Sequence, residues 1–449
     1  MNYLRPIRGW RCGQRDFALG ERTWIMAILN LTSDSFYPAS RLDPSAPQPL
    51  ESAAGAALEA GADILDLGAE STRPGSAPLA PAAEQARLLP ALRLLRRRFP
   101  HALLSSDTRH AATARAALAS GADIINDVSG GADPAMLPLL SESACGIVVT
   151  HCRGEFATMH KLPPLADPLA TVLAGLRSLA QRAAAAGIDG ERVILDPGFG
   201  FGKNLDENFP LLAGLDHLLA LGFPLLVGFS RKSFLRRERS QGPEARLPAS
   251  LAAATAAALA GAHIVRTHDV AATREALRIT GHLLAHGPRV RRARPADVNA
   301  ITSLLDANTA AHSGALTGSF PRARVASWVE SSMPVMVAEL DDQLAGVLVS
   351  SDPEAWRASP VIVAMLAAHP LPSGAYLYGP VCIAAAARGR SVLPALYAGL
   401  QRLLPGREAI LFIRADNSRS LRVHEKLGMH RAASFRFDGA EFAIWSSLR

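Results

Sequence analysis

The stretch ALEAGADILDL, residues 57–67, carries a helix into a strand within a single turn of chain. Gly61 stands where the end of a helix needs a left-handed residue. Ile64 then opens a short apolar run that ends on the carboxylate of Asp66. The pattern recurs as Ser120-Gly121-Ala122-Asp123-Ile124 and as Ala260-Gly261-Ala262-His263-Ile264. By itself the repeat reads as the chemistry of a helix-to-strand connection, with no functional meaning.

Working outward, the rhythm of apolar run, polar or Gly-rich loop and Ala/Leu-rich helical stretch fills residues 1 to about 285. The runs lie at 24–30, 63–67, 102–107, 123–126, 146–151, 192–196, 224–228 and 263–266. Short apolar runs alternating with helices imply parallel strands buried on both faces. Eight such units predict an α/β fold of the (β/α)8 TIM-barrel type. The rhythm stops near residues 285–294, where HGPRVRRARP reads as a linker. Beyond it, strands at 335–340 and 345–350 and a helix at 391–404 predict a smaller mixed α/β domain. The expected domains are residues 1–286 and 287–449.

Composition narrows the function classes. Of 449 residues, 49% are hydrophobic and 19% charged, which suits a core-forming chain rather than a disordered one. The net charge of +7 suits anionic partners, but no basic run is interleaved with aromatics, so neither nucleic acid nor membrane is expected as a partner. Arg96-Arg97-Arg98 ends a predicted helix, where cations suit the dipole. The four cysteines, Cys12, Cys145, Cys152 and Cys382, lack metal-site or disulfide spacing. The first residues contain no apolar leader, and a cytoplasmic location is expected.

Each predicted barrel strand ends on polar residues: Asn30, Asp66, Asp107, Asn126, His151, Asp196, Ser230 with Lys232, and Arg266 with His268. One such residue is more often a helix cap than a catalyst; Asp107-Thr108, before a helix predicted at 109–119, could be only that. Eight at one rim, where barrel active sites form, exceed what capping needs. Arg266, His268 and Ser71-Thr72-Arg73 make a donor-rich cationic pocket suited to a phosphate or diphosphate. Asn30 is an oxygen ligand suited to Mg²⁺, which takes few protein ligands and completes its shell with substrate phosphates. Asp107, Asn126 and Asp196 suit a flat heterocycle rich in donors and acceptors. The residues point to a diphosphate ester of a polar heteroaromatic, with magnesium.

The segments MAILNLTSDSF (26–36), DLGAESTRPG (66–75), SSDT (105–108), IINDVSG (124–130), LDPGFGFGKN (195–204), LLVGFSRKSF (225–234) and HIVRTHD (263–269) resemble those of dihydropteroate synthases, in family order. The resemblance covers residues 10–286. It implies condensation of p-aminobenzoate with a dihydropterin methyl diphosphate in folate synthesis. It further implies Asp107, Lys232 and Asp34 as catalytic residues, and Asp107, Asn126, Asp196 and Lys232 as the pterin grip. Thr72, Arg266 and His268 would hold the diphosphate, Pro74, Phe201 and Ser230 the p-aminobenzoate, and Asn30 the Mg²⁺. The implied mechanism is substitution at the pterin methylene with no covalent nucleophile, so Cys152 reads as a packing residue. A homodimer is implied in the same way. This sequence departs from the family with Ser33 for a proline, with Pro38-Ala39-Ser40 for Asp-Gly-Gly, and with Thr150-His151-Cys152 for Met-His-Met.

Residues 287–449 look like a GNAT-type acetyltransferase domain. Arg388, Gly389, Arg390 and Ser391 align with its acetyl-CoA loop, and Asn417 and His424 with its closing motif. Ser391 and Leu393 fall where that loop has glycines, which let backbone N–H groups approach a diphosphate. His424 stands where a tyrosine general acid is common. The resemblance implies acetyl-CoA as a second ligand, with a domain retained only for packing as the alternative. For the barrel, the alternatives are a methyl-tetrahydrofolate-handling module and a non-catalytic pterin sensor.

Overall fold

The computed structural model describes residues 6–31, 47–70, 78–155, 158–236, 242–309, 312, 316, 318–356 and 359–447. They divide into two compact units, Arg5–Leu283 and Leu284–Arg449.

The first unit opens with a hairpin of β1 (Arg8–Cys12) and β2 (Arg15–Leu19). Eight strands follow: β3 (Trp24–Asn30), β4 (Ile64–Gly68), β5 (Leu103–Asp107), β6 (Ile124–Asp127), β7 (Gly146–Thr150), β8 (Val193–Asp196), β9 (Leu226–Gly228) and β10 (Ile264–Thr267). The helices that follow them in turn are α1 (Pro47–Glu59), α2 (Pro81–Arg98), α3 (Ala111–Ala119), α4 (Met136–Ser141), α5 (Pro168–Ala185), α6 (Leu205–Ala213), α7 (Leu247–Leu259) and α8 (Val270–His286). The strands pair in parallel in the order β8-β7-β6-β5-β4-β3-β10-β9. A parallel bridge between Leu195 and Leu225 joins the two ends, giving a nearly closed eight-stranded barrel.

The repeated Gly-Ala segment works at two levels. In all three copies the glycine takes positive φ, at +95° for Gly61, +102° for Gly121 and +103° for Gly261. The next residue's N–H reaches back over the helix end, as in Ala62 N to Ala57 O at 2.9 Å. The residue after that caps a neighbouring strand. Asp63 Oδ2 accepts from Ile25 N at 2.9 Å, Asp123 Oδ2 from Leu104 N at 2.8 Å, and His263 Nδ1 from Leu225 N at 3.0 Å. One short segment thus ends a helix and ties the next strand into register.

The barrel's two ends differ. At the N-terminal end of the strands, Trp10, Cys12 and Leu19 of the hairpin pack on Met26, Ile64, Leu103, Ile124, Val148, Ile194, Leu226 and Ile264. Trp10 is 1% exposed, and a Cβ on Gly146 would lie 2.5 Å from its ring, so this position requires glycine. That apolar plug leaves the strands' C-terminal ends as the place for polar chemistry.

In the second unit the sheet order is β11 (Arg289–Arg292), β12 (Val335–Leu340), β13 (Gln343–Ser351), β14 (Tyr376–Ile383), β15 (Ala409–Arg414), β17 (Ala440–Ser446), β16 (His430–Phe437). Its helices are α9 (Val298–Asp306), α10 (Arg322–Glu330), α11 (Pro360–Ala368), α12 (Val392–Leu403) and α13 (Ser418–Lys426). On β12, Met336, Ala338 and Leu340 face the cluster containing α12, while Val335 and Val337 face that containing α9 and α10, as strand alternation requires. All pairings are antiparallel except β14 with β15, which pair in parallel only at Tyr376–Ala409 and Leu377–Ile410. The expected linker needs correction: residues 289–292 form β11 rather than a free connection. Arg291 accounts for this, with both Nη atoms on the Asp297 carboxylate at 2.7 and 2.8 Å and a further pair to Glu339 on β12. Among the described residues, no helix is long and apolar enough to cross a membrane.

Candidate functional site

Register brings the polar strand ends together. Asp107 lies opposite Asn126, Gly68 lies between Asn30 and Asp107, and Thr150 lies opposite Asp196. Arg266 is the hub. Its Nε donates to Asp66 Oδ2 and its Nη2 to Asp107 Oδ2, both at 2.6 Å. Asp66 is fully buried and also accepts from Asn126 Nδ2 at 3.2 Å. Among the described residues, Asp66 Oδ1 and Asn126 Oδ1 are buried without a protein partner. Buried acceptors of this kind are costly unless something donates to them.

The capping reading of Asp107 does not hold. Helix α3 begins two residues later than expected, at Ala111, whose N–H is taken by Asp133 Oδ2 at 2.8 Å. Thr108 donates to Glu84 Oε2 at 2.9 Å. The Asp107 carboxylate therefore faces Arg266 and not the helix. Burial raises its pKa, with Arg266 opposing and Asp66 adding to the rise.

Lys232 follows Arg231, a non-glycine residue at φ 55°. Such a conformation is costly and needs support. Arg231 has it: Nε and Nη2 grip the Asp269 carboxylate at 2.9 and 2.6 Å, and its N–H donates to Ser250 Oγ at 2.9 Å. The kink sends Ser230 and Lys232 to different tasks. Lys232 Nζ donates to Phe199 O at 2.6 Å and lies 4.7 Å from the centre of the Phe201 ring. Burial draws its pKa down to about 8, while Asp196 resists. Asp196 in turn is raised by burial, against Lys232, and Oδ1 accepts from Gly198 N at 2.8 Å.

Ser230, expected near p-aminobenzoate, bonds His268: its Oγ stands 2.8 Å from Nδ1 and accepts from His268 N at 3.1 Å. His268 Nε2 lies 3.0 Å from Asn30 Nδ2. An amide NH₂ can only donate, so Nε2 accepts and Nδ1 carries the proton toward Ser230. Burial agrees, drawing His268 down to about 3 and keeping the ring neutral. As placed, His268 works by fixing Asn30 and Ser230.

The structure thus gathers Asn30, Asp107, Asn126, Asp196, Phe201, Ser230, Lys232, Arg266 and His268 at one end of the barrel. Asp34, Thr72 and Pro74 lie outside the described residues. Glu70 and Leu79, which flank residues 71–77, are joined by Leu79 N donating to Glu70 Oε1 at 2.8 Å. Arg109 braces Glu70 with Nε to Oε2 at 2.7 Å and Nη2 to Oε1 at 2.9 Å. Lys203 and the bridging part of Asp66 went unnoticed in the sequence, although both residues stand inside matching motifs. Burial pushes the Cys152 thiol up to about 11, consistent with packing rather than nucleophilic chemistry.

In the second unit, Asn417 caps α13, accepting from Ser420 N at 3.1 Å. Ser391 takes φ 59° at the start of α12, a conformation glycine adopts more readily. Arg388 and Arg390 are turned to Asn308 and Asp341, at 2.8 and 2.9 Å. His424 Nδ1 bonds Ser420 O at 2.8 Å, and its ring meets Tyr378 edge-on at 5.5 Å. His424 Nε2 and Tyr378 Oη are buried without a partner among the described residues.

Fold and site together define a (β/α)8-barrel protein with an apolar plug at one end and a charged, hydrogen-bonding rim at the other. The chain belongs to the pterin binding enzyme family, whose sequence pattern matches residues 26–268. It is 40% identical over 258 residues to the dihydropteroate synthase of Escherichia coli K12, covering 57% of this chain and 89% of that protein. It is 36% identical over 284 residues to an inactive dihydropteroate synthase 2 of Mycobacterium leprae, covering 61% of this chain and 95% of that one. Among solved structures, a Yersinia pestis dihydropteroate synthase with a sulfonamide drug complex aligns with a TM-score of 0.58 at 35% identity, covering 61% of this chain and 98% of that one. The Xanthomonas albilineans enzyme with 4-aminobenzoic acid aligns at 0.56 and 35%, covering 62% and 98%.

Proposed function

We propose that the barrel is an active dihydropteroate synthase, joining p-aminobenzoate to the methylene carbon of a dihydropterin diphosphate. The observation that carries this reading is the pair of buried acceptors left without a partner among the described residues, Asp66 Oδ1 and Asn126 Oδ1, near Asp107, Asp196 and Lys232. Such a set satisfies a flat ring with several N–H donors better than it satisfies a protein core.

In this reading Asn126, Asp107 and Asp196 accept from the pterin, and Lys232 donates to it. Arg266 uses two of its five N–H groups on Asp66 and Asp107, which orient the guanidinium and leave three for the diphosphate. The bond between the methylene carbon and the diphosphate oxygen breaks, the arylamine nitrogen forms the new bond to carbon, and the amine gives up a proton. Fixed charges aimed at the departing anion lower the barrier. Phe201 offers its ring to the aromatic amine, and Thr72, Pro74 and Asp34 join the proposal from sequence alone. Among the described residues, no three His, Cys, Asp or Glu side chains stand together as a metal cage. Magnesium would instead take the Asn30 amide oxygen, oriented by Asn30 Nδ2 on His268 Nε2 at 3.0 Å, with substrate phosphates completing its shell. When bound, the ion would neutralise charge on the leaving group.

The test is arylamine-dependent diphosphate release, compared for wild type, Lys232→Ala and Arg266→Ala. Both variants should lose roughly a hundredfold or more in kcat/KM. Unchanged rates in folded variants would contradict the reading.

For the second unit we propose a GNAT-like domain that binds acetyl-CoA. The parallel pair β14 and β15, joined at only two positions, is the observation in favour. Strands that part leave backbone N–H and C=O groups for a ligand to meet. Calorimetric titration of the full chain with acetyl-CoA tests it, and absence of heat and of competition by coenzyme A would count against it.

A further inference from the structure

Lys203 is 5% exposed, and among the described residues its ammonium meets no carboxylate within hydrogen-bonding distance. It donates instead to three carbonyl oxygens: Gly198 at 2.8 Å, His151 at 3.1 Å and Phe201 at 3.1 Å. A buried cation with no carboxylate in contact is costly, even with Asp196 and Glu207 in the neighbourhood, and an apolar side chain would pack there at less cost. The carbonyls explain it. The turn after β8 lies flush on residues 151–153: a Cβ on Gly198 would come 2.1 Å from His151 O, and one on Gly202 2.2 Å from Arg153 O. Positive φ at Gly198, Gly200 and Gly202 (66°, 80° and 66°) allows that approach. The same backbone turns carbonyls toward Lys203, whose three N–H groups match them one for one.

The turn also meets Lys232, the residue placed above on the pterin. Phe199 O accepts from Lys232 Nζ, the Phe201 ring lies beside that nitrogen, and a Cβ on Gly200 would touch the Lys232 stem at 3.5 Å. Carbonyls 198 and 201 go to one lysine and carbonyl 199, between them, to the other. Phe199 is locked in turn against Phe229, with ring centres 4.6 Å apart.

We propose that Lys203 is a positioning residue for the reaction, holding the glycine turn so that Phe199 O and the Phe201 ring fix the Lys232 ammonium. This rests on the functional reading above.

The experiment is a double-mutant cycle on the full chain. Lys203→Met removes the ammonium with little change of volume, and should lower kcat/KM roughly ten- to a hundredfold, the scale of a small misplacement at a reacting centre. In a Lys232→Ala background the same change should cost less than about twofold, because its only route of action is already gone. Lys203→Gln, which keeps N–H donors, should lose less than Lys203→Met, and it carries the test should the methionine variant not fold. Two results overturn the proposal: folded Lys203 variants with wild-type kinetic constants and only a lower melting temperature, or equal losses with and without Lys232. Absence of turnover in the wild type strikes the functional reading alone. The cycle is then read on the dissociation constant of the pterin diphosphate, with the same two outcomes deciding.

Discussion

Arg266 is one guanidinium shared by the buried Asp66 and the half-buried Asp107, and its removal takes the bonded cation from both carboxylates. Arg266→Ala should cost about 3–5 kcal/mol of stability. Burial already raises the Asp107 pKa. Without Arg266 the folded state would favour the protonated acid still more, while the unfolded chain ionises near its ordinary value. The loss should therefore be smaller at pH 5 than at pH 8, and urea unfolding at both pH values checks this. An equal loss would mean that the pair carries little of the charge balance. His151 and His268 behave in the opposite sense. Burial draws each down to about 3, so the folded state favours the neutral ring. Each contributes stability that is complete above the ordinary histidine value and is lost as pH falls below it. Replacing His151 by Asn should flatten the fall in unfolding free energy between pH 6 and 4 by about 1.4 kcal/mol per pH unit. An unchanged slope would show that the ring protonates in the folded protein. Asn30, Asp107, Asn126, Asp196, Lys232 and Arg266 were legible because strand ends meet at one rim in any barrel. The contacts of Lys203 were not, since its acceptor at His151 lies just past the end of a different strand and nothing in the spacing announces it.

Glycine has two kinds of duty in the elements of this barrel. Gly61, Gly121 and Gly261 end helices, and their role followed from the repeat. Gly175 lies inside α5, where alanine would ordinarily favour the helix. Here a Cβ would stand 2.3 Å from the His151 ring. Gly175→Ala should therefore destabilise the protein by about 1–3 kcal/mol, and a raised melting temperature would refute the close fit. Asp63 shows what the repeat did not reveal. The acid after the Gly-Ala pair caps the strand beside it, so Asp63→Ala should cost about 1–3 kcal/mol by stranding a buried N–H. The strands were readable because burial on both faces makes them continuously apolar. Strand β11 was not, because an edge strand reading Arg-Val-Arg-Arg looks like a linker until Asp297 and Glu339 stand beside it. The hairpin that plugs the barrel was equally invisible, since its aromatics meet partners drawn from all eight strands.

At the scale of the molecule, the chain joins a family barrel to a second unit built on its own sheet. The family places the first unit among pterin binding enzymes, but relatives of similar identity include both dihydropteroate synthases and proteins called inactive. Chemistry must therefore be read from the rim and tested on it. The most direct measurement is chromatographic detection of dihydropteroate after incubating the purified full chain with 6-hydroxymethyl-7,8-dihydropterin diphosphate, p-aminobenzoate and Mg²⁺. The account predicts dihydropteroate and diphosphate in equal amounts, both dependent on p-aminobenzoate. A folded protein that binds the pterin diphosphate and forms no dihydropteroate would contradict it, and would place this chain with the inactive relatives as a pterin-binding module.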